Sequence, residues 1–361
     1  MSEVSPASAM LAELGRLIPG MQGNAAALDA VEAFPTEDIA ALRGMGALMA
    51  PVPVRLGGWG AGTEPVGAEL LFEVLRLLGQ GNMAVGRLYE AHVNALHLIA
   101  LHGTPRQLEQ AAVAAQEGHL FGLWVTDSPG HPVTMSKGTL RGSKAPCSGA
   151  GHVTRTLITV GTDSGTRMAV VGLNGSSGVV PMVGVMHGMR ACCHGTMGFD
   201  GAALPVNAFI GPPDAYLAEP SLSAGAWRTM AVTLGGLDAL VATTRAQLVQ
   251  KGQAGAPLQQ ERFGLMLIAQ ETARLWTADA GRRAESGDAD TADLVAYVNL
   301  ARIAVEAACL DAMRLAQRAL GLGALLRPNP VERLLRDLTT YLRQPAPDAV
   351  LTEAAQYALA S

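Results

Sequence analysis

Lysine and arginine never cluster along the 361 residues, and a net charge of −5 with a pI near 5.9 leaves no electrostatic footprint for a nucleic-acid backbone. No GxGxxG or GxxxxGK[ST] follows a predicted strand, so neither a dinucleotide fingerprint nor a P-loop supports phosphate binding. The four cysteines, Cys147, Cys192, Cys193 and Cys309, show neither CxxC spacing nor the ladder of a disulfide framework. Reduced, mostly buried thiols are expected. The opening residues MSEVSPASAMLAELGR lack a basic start, an apolar core and a small-residue cleavage site, which predicts no secretory signal and a cytoplasmic location. Met168 to Met189 carries no formal charge and is long enough to raise the question of a membrane span. Asn174, Ser176, Ser177, Pro181 and several glycines break it into short pieces, MAVVGL and GVVPMVGVM, which read as buried strands joined by turns.

What is present is apolar. Hydrophobic residues make up 49% of the chain and charged residues 16%, with mean hydropathy +0.23, a balance that folds rather than stays disordered. The length suits two or three packed subdomains, and the surplus of apolar surface points to burial between subunits.

The chain divides by texture. Residues 1–118 carry alanine- and leucine-rich segments of helical period. PTEDIAALRGMG reads as a helix with Thr36 as N-cap, Glu37 and Asp38 at the positive end of the dipole, and Gly44 and Gly46 at its close. Similar spacing predicts helices over Ala68–Leu78 and Leu88–Leu101, with the glycine- and proline-rich loop PVPVRLGGWGAGTEP before them. Residues 119–215 change to β-branched alternation broken by Gly, Ser and Asn, as in HLFGLWVTD, TRTLITVGT and TRMAVVGL. Residues 216–361 return to long helices, predicted at Trp227–Val249, Phe263–Ala284, Thr291–Leu320 and Val331–Leu342. Helices and strands are thus segregated along the chain, which excludes a doubly wound nucleotide-binding sheet.

Several constellations read as structural. His92, His97 and His102 stand five apart on one predicted helix, and a five-residue step turns roughly 140° about the axis, so neighbours face different sides. Metal-binding helices space histidines three or four apart, so polar or interface roles are expected. Glu271, Glu285 and Glu306 read as solvated faces or ion-pair partners of amphipathic helices. Cys192 and Cys193 fall on a predicted strand, where successive side chains point to opposite faces. Two segments of the strand region combine small polar residues with close backbone approach: LWVTDSPG, residues 123–130, and GSKAPCSGAGH, residues 142–152. Such segments can offer hydrogen bonds to the edge of a planar redox ring.

In matching order from end to end, the chain resembles the acyl-CoA dehydrogenase family. LRGMGALMAPVPVRLGGWGAG is similar to the family's helix-to-loop entry ending in Gly-Gly-x-Gly, and HVNALHLIALHGTPRQLEQ to its helix pair with a Gly-Thr/Ser-x-x-Gln joint. LWVTDSPG stands where the family has its Thr-Glu-Pro strand, and GSKAPCSGAGH where it has Gly-x-Lys-x-x-x-Ser/Thr. GMRACCHGTMGFDGAALP, AQRALGLGAL and PVERLLRDL resemble its Phe-Asp-x-x-x-Val-Pro run, its Gln-x-x-x-Gly-x-Gly segment and its Pro-x-x-Arg-x-x-Arg-Asp helix. The resemblance implies an N-terminal helical domain, a small central β-barrel or sandwich and a C-terminal four-helix bundle, with FAD between the last two. It implies that Trp124, Val125 and Thr126 border the isoalloxazine ring, with Thr126 on its pyrimidine side, and that Ser148 reaches towards N5. Gln317 and Gly321 match positions that meet the adenosine diphosphate of a neighbouring subunit's FAD, so a homodimer or homotetramer is implied. Arg262 and Phe263 resemble the family's Arg-x-x-Phe-Gly, with Arg262 standing two places out of register.

Catalysis is where the chain departs from the family. A dehydrogenase needs a carboxylate to take the substrate's α-proton while hydride leaves for the flavin. The family's Tyr-Glu-Gly-Thr glutamate falls at Pro345 in RQPAPDAV, and its alternative location falls at Trp227 beside Arg228. Asp348, if that loop folds back, and Asp127 are the candidate replacements. Three functions are therefore expected in order: FAD-dependent oxidation of an acyl-CoA or similar substrate at a CH–CH group, passing electrons to an acceptor; a flavin monooxygenase fed by a reductase, with Ser148 and His152 at the reacting centre; and a non-catalytic acyl-CoA-binding member.

Overall fold

The computed structural model describes residues 6–360 except 174, 176 and 177. The expected breakers Asn174, Ser176 and Ser177 therefore lie outside the described residues. Five helices come first: α1 (Pro6–Val31), α2 (Thr36–Gly44), α3 (Ala68–Gly81), α4 (Met83–His102) and α5 (Pro105–Gln116). Helix α3 buries Leu70, Leu71, Val74, Leu75 and Leu78, a stripe of helical period facing the core. Asn82 opens α4 by accepting from the Ala84 N–H at 3.0 Å. The Gly-Thr-x-x-Gln joint is a capping box, in which Thr104 accepts from the Gln107 N–H and the Gln107 side chain accepts from the Thr104 N–H. Thr36 is not an N-cap: Pro35 holds that position, and the Thr36 hydroxyl turns to the Phe34 carbonyl. In the glycine-rich loop, a Cβ on Gly58 would sit 1.9 Å from the Val52 carbonyl oxygen, so only glycine fits there.

The strands are β1 (Phe121–Trp124), β2 (Thr134–Ser136), β3 (Thr139–Arg141), β4 (Ser143–Cys147), β5 (Arg155–Thr162), β6 (Gly165–Gly172), β7 (Val179–Pro181), β8 (Gly195–Gly198) and β9 (Phe209–Ile210). One sheet runs β3-β2-β5-β6-β9, with β1 parallel on β5 from Phe121 opposite Arg155 to Trp124 opposite Ile158; the other runs β4-β8-β7. No described helix is long and apolar enough to cross a membrane; the start of the uncharged stretch completes β6, its middle forms the short β7, and Val180, Val183 and Val185 are exposed rather than buried in a strand as expected.

The bundle follows as α6 (Ser221–Ala224), α7 (Ala226–Gln250), α8 (Pro257–Ser286), α9 (Thr291–Leu320), α10 (Pro330–Tyr341) and α11 (Pro347–Ala360). Helices α7, α8 and α9 pack on one another, α10 lies against α7, and α11 packs on α9. Helix α3 crosses α7 at backbone contact: a Cβ on Gly235 would lie 2.0 Å from the Arg76 carbonyl oxygen. The order helices, strands, helices is the one expected.

Two local expectations are corrected. Cys192 and Cys193 lie on no strand: Cys192 ends a 3-10 turn and Cys193 has φ 48°. Their thiols still diverge, Cys192 donating to the Ala84 carbonyl and Cys193 to the Glu32 carbonyl. RQPAPDAV is only partly a loop, because Pro347 opens α11 in the position where proline loses no helical hydrogen bond.

Candidate functional site

Between the end of β1, α4 and the bundle lies a cavity of about 650 Å³. Its floor is built by a buried lysine. Lys144, 1% exposed, donates to the Val125 carbonyl at 3.1 Å and the Thr159 hydroxyl at 2.8 Å, and pairs with Asp127 at 2.6 Å. Burial pulls its pKa down, opposed by Asp127. The ammonium thus clamps the backbone just past β1. Trp124 turns into the core, where its indole N–H donates to the Ser148 carbonyl at 2.9 Å and ties β1 to the end of β4. Val125, Thr126 and Ser148 then face the cavity together. Among the described residues, neither the Thr126 nor the Ser148 hydroxyl has a partner, although Ser148 is 7% exposed. Unpaired hydroxyls beside clamped backbone suit the polar edge of a flavin.

The facing wall comes from α4. Arg87, Glu90, Asn94 and His97 recur at steps of three, four and three, so they form one polar stripe on an otherwise apolar helix. Glu90 is 4% exposed and accepts four hydrogen bonds: from Arg87 at 2.5 Å, Asn94 at 2.6 Å, Tyr341 at 3.2 Å and Thr229 at 3.3 Å. Burial opposes the charge of Arg87, but Glu90 holds its pKa above the ordinary value; burial and Glu90 push the Tyr341 phenol up. From α7, Arg228 pairs with Glu285 at 2.6 Å, both almost fully buried, and also reaches Asn94. Burial, and then nearby Arg228 for His97 and Arg87 for His194, lowers both histidines to about 4, so each is neutral near pH 7.

The expected site residues separate into groups. Val125, Thr126 and Ser148 line the cavity with Trp124 behind them. Neither candidate base lines it: Asp127 is held by Lys144 and by the Val133 N–H, and Asp348 is exposed in the first turn of α11. His152 also lies off the cavity, stacked on Phe34 with ring centroids 4.2 Å apart. Arg262 and Phe263 on α8, and Gln317 and Gly321 at the end of α9, are away from it; Gln317 and Gly321 are exposed. His92, His97 and His102 share no site: His92 bonds Leu48 and Phe121, His97 bonds Gly62, and His102 packs beside Gly211. Glu271 and Glu306 pair with Arg274 and Arg343. The α4 stripe was missed, although its spacing is visible once charged residues are tested for helical period as apolar ones are.

A second cavity, about 680 Å³, lies between α5 and the β-sheet. It is an open groove whose polar lining, such as Arg106, Glu109 and Glu117, is solvated.

Residues 215–342 match the family model described as acyl-CoA dehydrogenase, C-terminal domain. None of the curated proteins compared matches the sequence. Among solved structures, butyryl-CoA dehydrogenase from Megasphaera elsdenii aligns over 99% of both chains with TM-score 0.84 and 17% identity. KijD3, in complex with FMN and a dTDP-linked amino-keto sugar, aligns over 99% of this chain and 93% of its own with TM-score 0.82 and 19% identity. Dibenzothiophene monooxygenase from Paenibacillus sp. A11-2 aligns over 98% and 97% with TM-score 0.82 and 17% identity. At these identities the likeness establishes the fold.

Proposed function

We propose, for a chain whose residues 215–342 match the acyl-CoA dehydrogenase C-terminal domain and whose fold is that of acyl-CoA dehydrogenases, a flavin-dependent monooxygenase activity. The observation that carries the reading is the absence, among the described residues, of any available carboxylate on the cavity wall. Glu90 is the one carboxylate lining it, and its lone-pair directions are filled by four donors. Where the family's base would stand, Pro345 offers only a carbonyl, which accepts from Arg302 at 2.5 Å. Dehydrogenation by α-proton removal finds no free carboxylate among the described residues of the wall, whereas oxygen insertion needs none. The reading first expected, oxidation at a CH–CH group with Asp348 or Asp127 as base, is therefore the less supported one.

The residues that would hold the flavin are Val125 and Thr126 past β1, and Ser148 past β4, with Trp124 fixing the distance between the two segments. When bound, the flavin would supply electrons and oxygen activation. The protein's own part is to orient and desolvate: burial lowers His97 and His194 to about 4, which makes both weak proton acceptors, and Glu90 is already saturated by donors. FAD remains the expected form, because α8 shows an outer stripe of exposed Leu258, Leu265, Ile268 and Leu275 that a second copy would cover. Such packing would set Gln317 and Gly321 towards the partner's cofactor.

The test is anaerobic mixing of the flavin-loaded protein with butyryl-CoA. The flavin absorbance should persist with butyryl-CoA and bleach with a flavin reductase and NADH. Bleaching by butyryl-CoA alone would overturn the monooxygenase reading.

A further inference from the structure

At the α9 end of the cavity, polar groups are buried without partners. Four arginines line the cavity, and three are neutralised: Arg87 by Glu90, Arg228 by Glu285 and Arg343 by Glu306. Arg302 has no carboxylate partner among the described residues. Glu306, one turn along α9, attracts it through space but spends its carboxylate on Arg343. Arg302 makes one hydrogen bond, from Nη2 to the Pro345 carbonyl, and its buried Nε has none. Along the same cavity wall, the buried Thr340 and Ser221 hydroxyls are also unpartnered, and Asn299, 3% exposed and one helical turn before Arg302, lines the cavity with no side-chain hydrogen bond among the described residues.

The buried Nε of Arg302 and the Thr340 and Ser221 hydroxyls, left without partners, cost stability unless something satisfies them. A guanidinium whose Nε is free presents a planar edge that matches an oxyanion, which water fills poorly. An acyl tail would leave all four groups unsatisfied, so this end of the cavity is built against a plain aliphatic chain.

We propose that Arg302, supported by Asn299, Thr340 and Ser221, binds an oxyanion, a carboxylate or phosphate, carried by the substrate. The proposal deepens the monooxygenase reading by naming the substrate class, a small acid rather than an acyl thioester tail. It places the recognition group on α9, opposite the flavin-facing hydroxyls of the β-strand ends. Its charge discriminates, because an uncharged analogue gains no ion pair and still has to desolvate Arg302.

Benzoate and inorganic phosphate serve as probes, with benzamide as the uncharged control, each titrated calorimetrically into the full-length protein with and without flavin. Saturable binding of benzoate or phosphate, absent for benzamide, is expected. Arg302→Gln should weaken it about tenfold or more, the loss of one charge-assisted contact, while flavin affinity stays within about twofold. Arg302→Lys should retain part of the affinity and Asn299→Leu should lose part, so an unfolded Gln variant leaves the assignment testable. Two results overturn it: neither anion binding saturably, or Arg302→Gln binding the anion as the parent does. Loss of flavin affinity in Arg302→Gln would also overturn it, by making Arg302 a cofactor anchor. If no flavin binds but the anion does, the monooxygenase reading falls and the oxyanion site stands.

Discussion

Acid should unfasten the strand region from α4 through one histidine. His92 is fully buried and joins three segments. The Phe121 N–H donates to its Nδ1 at 3.1 Å, which requires a lone pair there. The proton must then sit on Nε2, which donates to the Leu48 carbonyl at 2.9 Å. A second proton on Nδ1 would face the Phe121 N–H at the start of β1. Burial accordingly lowers the His92 pKa from 6.5 to about 4. In the unfolded chain the ring protonates near 6.5, so between 6.5 and 4 the unfolded state binds more protons. The stability that neutral His92 contributes is complete above pH 6.5 and is lost as the pH falls towards 4. At about 1.4 kcal/mol per pH unit, that loss amounts to roughly 3 kcal/mol from this ring. His92→Gln keeps a donor near Leu48 and removes the titration. The variant should lose about 1–3 kcal/mol at neutral pH, where Phe121 is left without its acceptor, and should show a flatter decline in acid. Urea unfolding followed across that pH window, parent against variant, measures the difference in slope. Parallel profiles would refute the argument, as would a His92 imidazole resonance, assigned by its loss in His92→Gln, that titrates near 6.5 in the folded protein.

The remaining predictions concern the cavity's frame. Arg228→Met leaves Glu285 charged and buried, and should cost about 3–5 kcal/mol by urea unfolding; Arg228→Met with Glu285→Leu should recover most of it. Ala346 has φ 49° where the family's Gly of Tyr-Glu-Gly-Thr would fall, so Ala346→Gly should raise stability by about 1 kcal/mol despite glycine's freer unfolded chain. Gly235→Ala forces a Cβ onto the Arg76 carbonyl at the crossing of α3 and α7, and should lower the thermal midpoint clearly. Lys144→Met releases the Val125 backbone and should weaken flavin affinity more than it lowers stability, read by fluorescence titration beside a thermal melt.

The fold was legible because its periodicities are clean. Thr291–Leu320 was bounded to the residue, since Asp290 caps its start and Gly321 its end. Cys192 and Cys193 were misread because β-branched and glycine texture surrounds a tight turn whose left-handed residues carry no sequence mark. Asp348 was placed on a loop because the two prolines of RQPAPDAV read as breakers, while Pro347 in fact starts a helix. The residues proposed to hold the flavin were legible only through family order, and the same order shows where the family's glutamate is replaced. The Arg302 end was invisible in sequence: an arginine's ion-pair partner is set by the packing of α9 against the α10 to α11 turn, and neither spacing nor composition tells that Glu306 is already taken.

The most direct measurement is an equilibrium titration of the purified full-length protein with FAD and FMN, oxidised and reduced, followed by flavin absorbance and fluorescence in the parent and in a Thr126→Val/Ser148→Ala variant. Saturable, one-to-one binding that the paired substitution weakens is the predicted result. Absence of saturable binding for either flavin in either redox state, or binding indifferent to both hydroxyls, would contradict the account at its base.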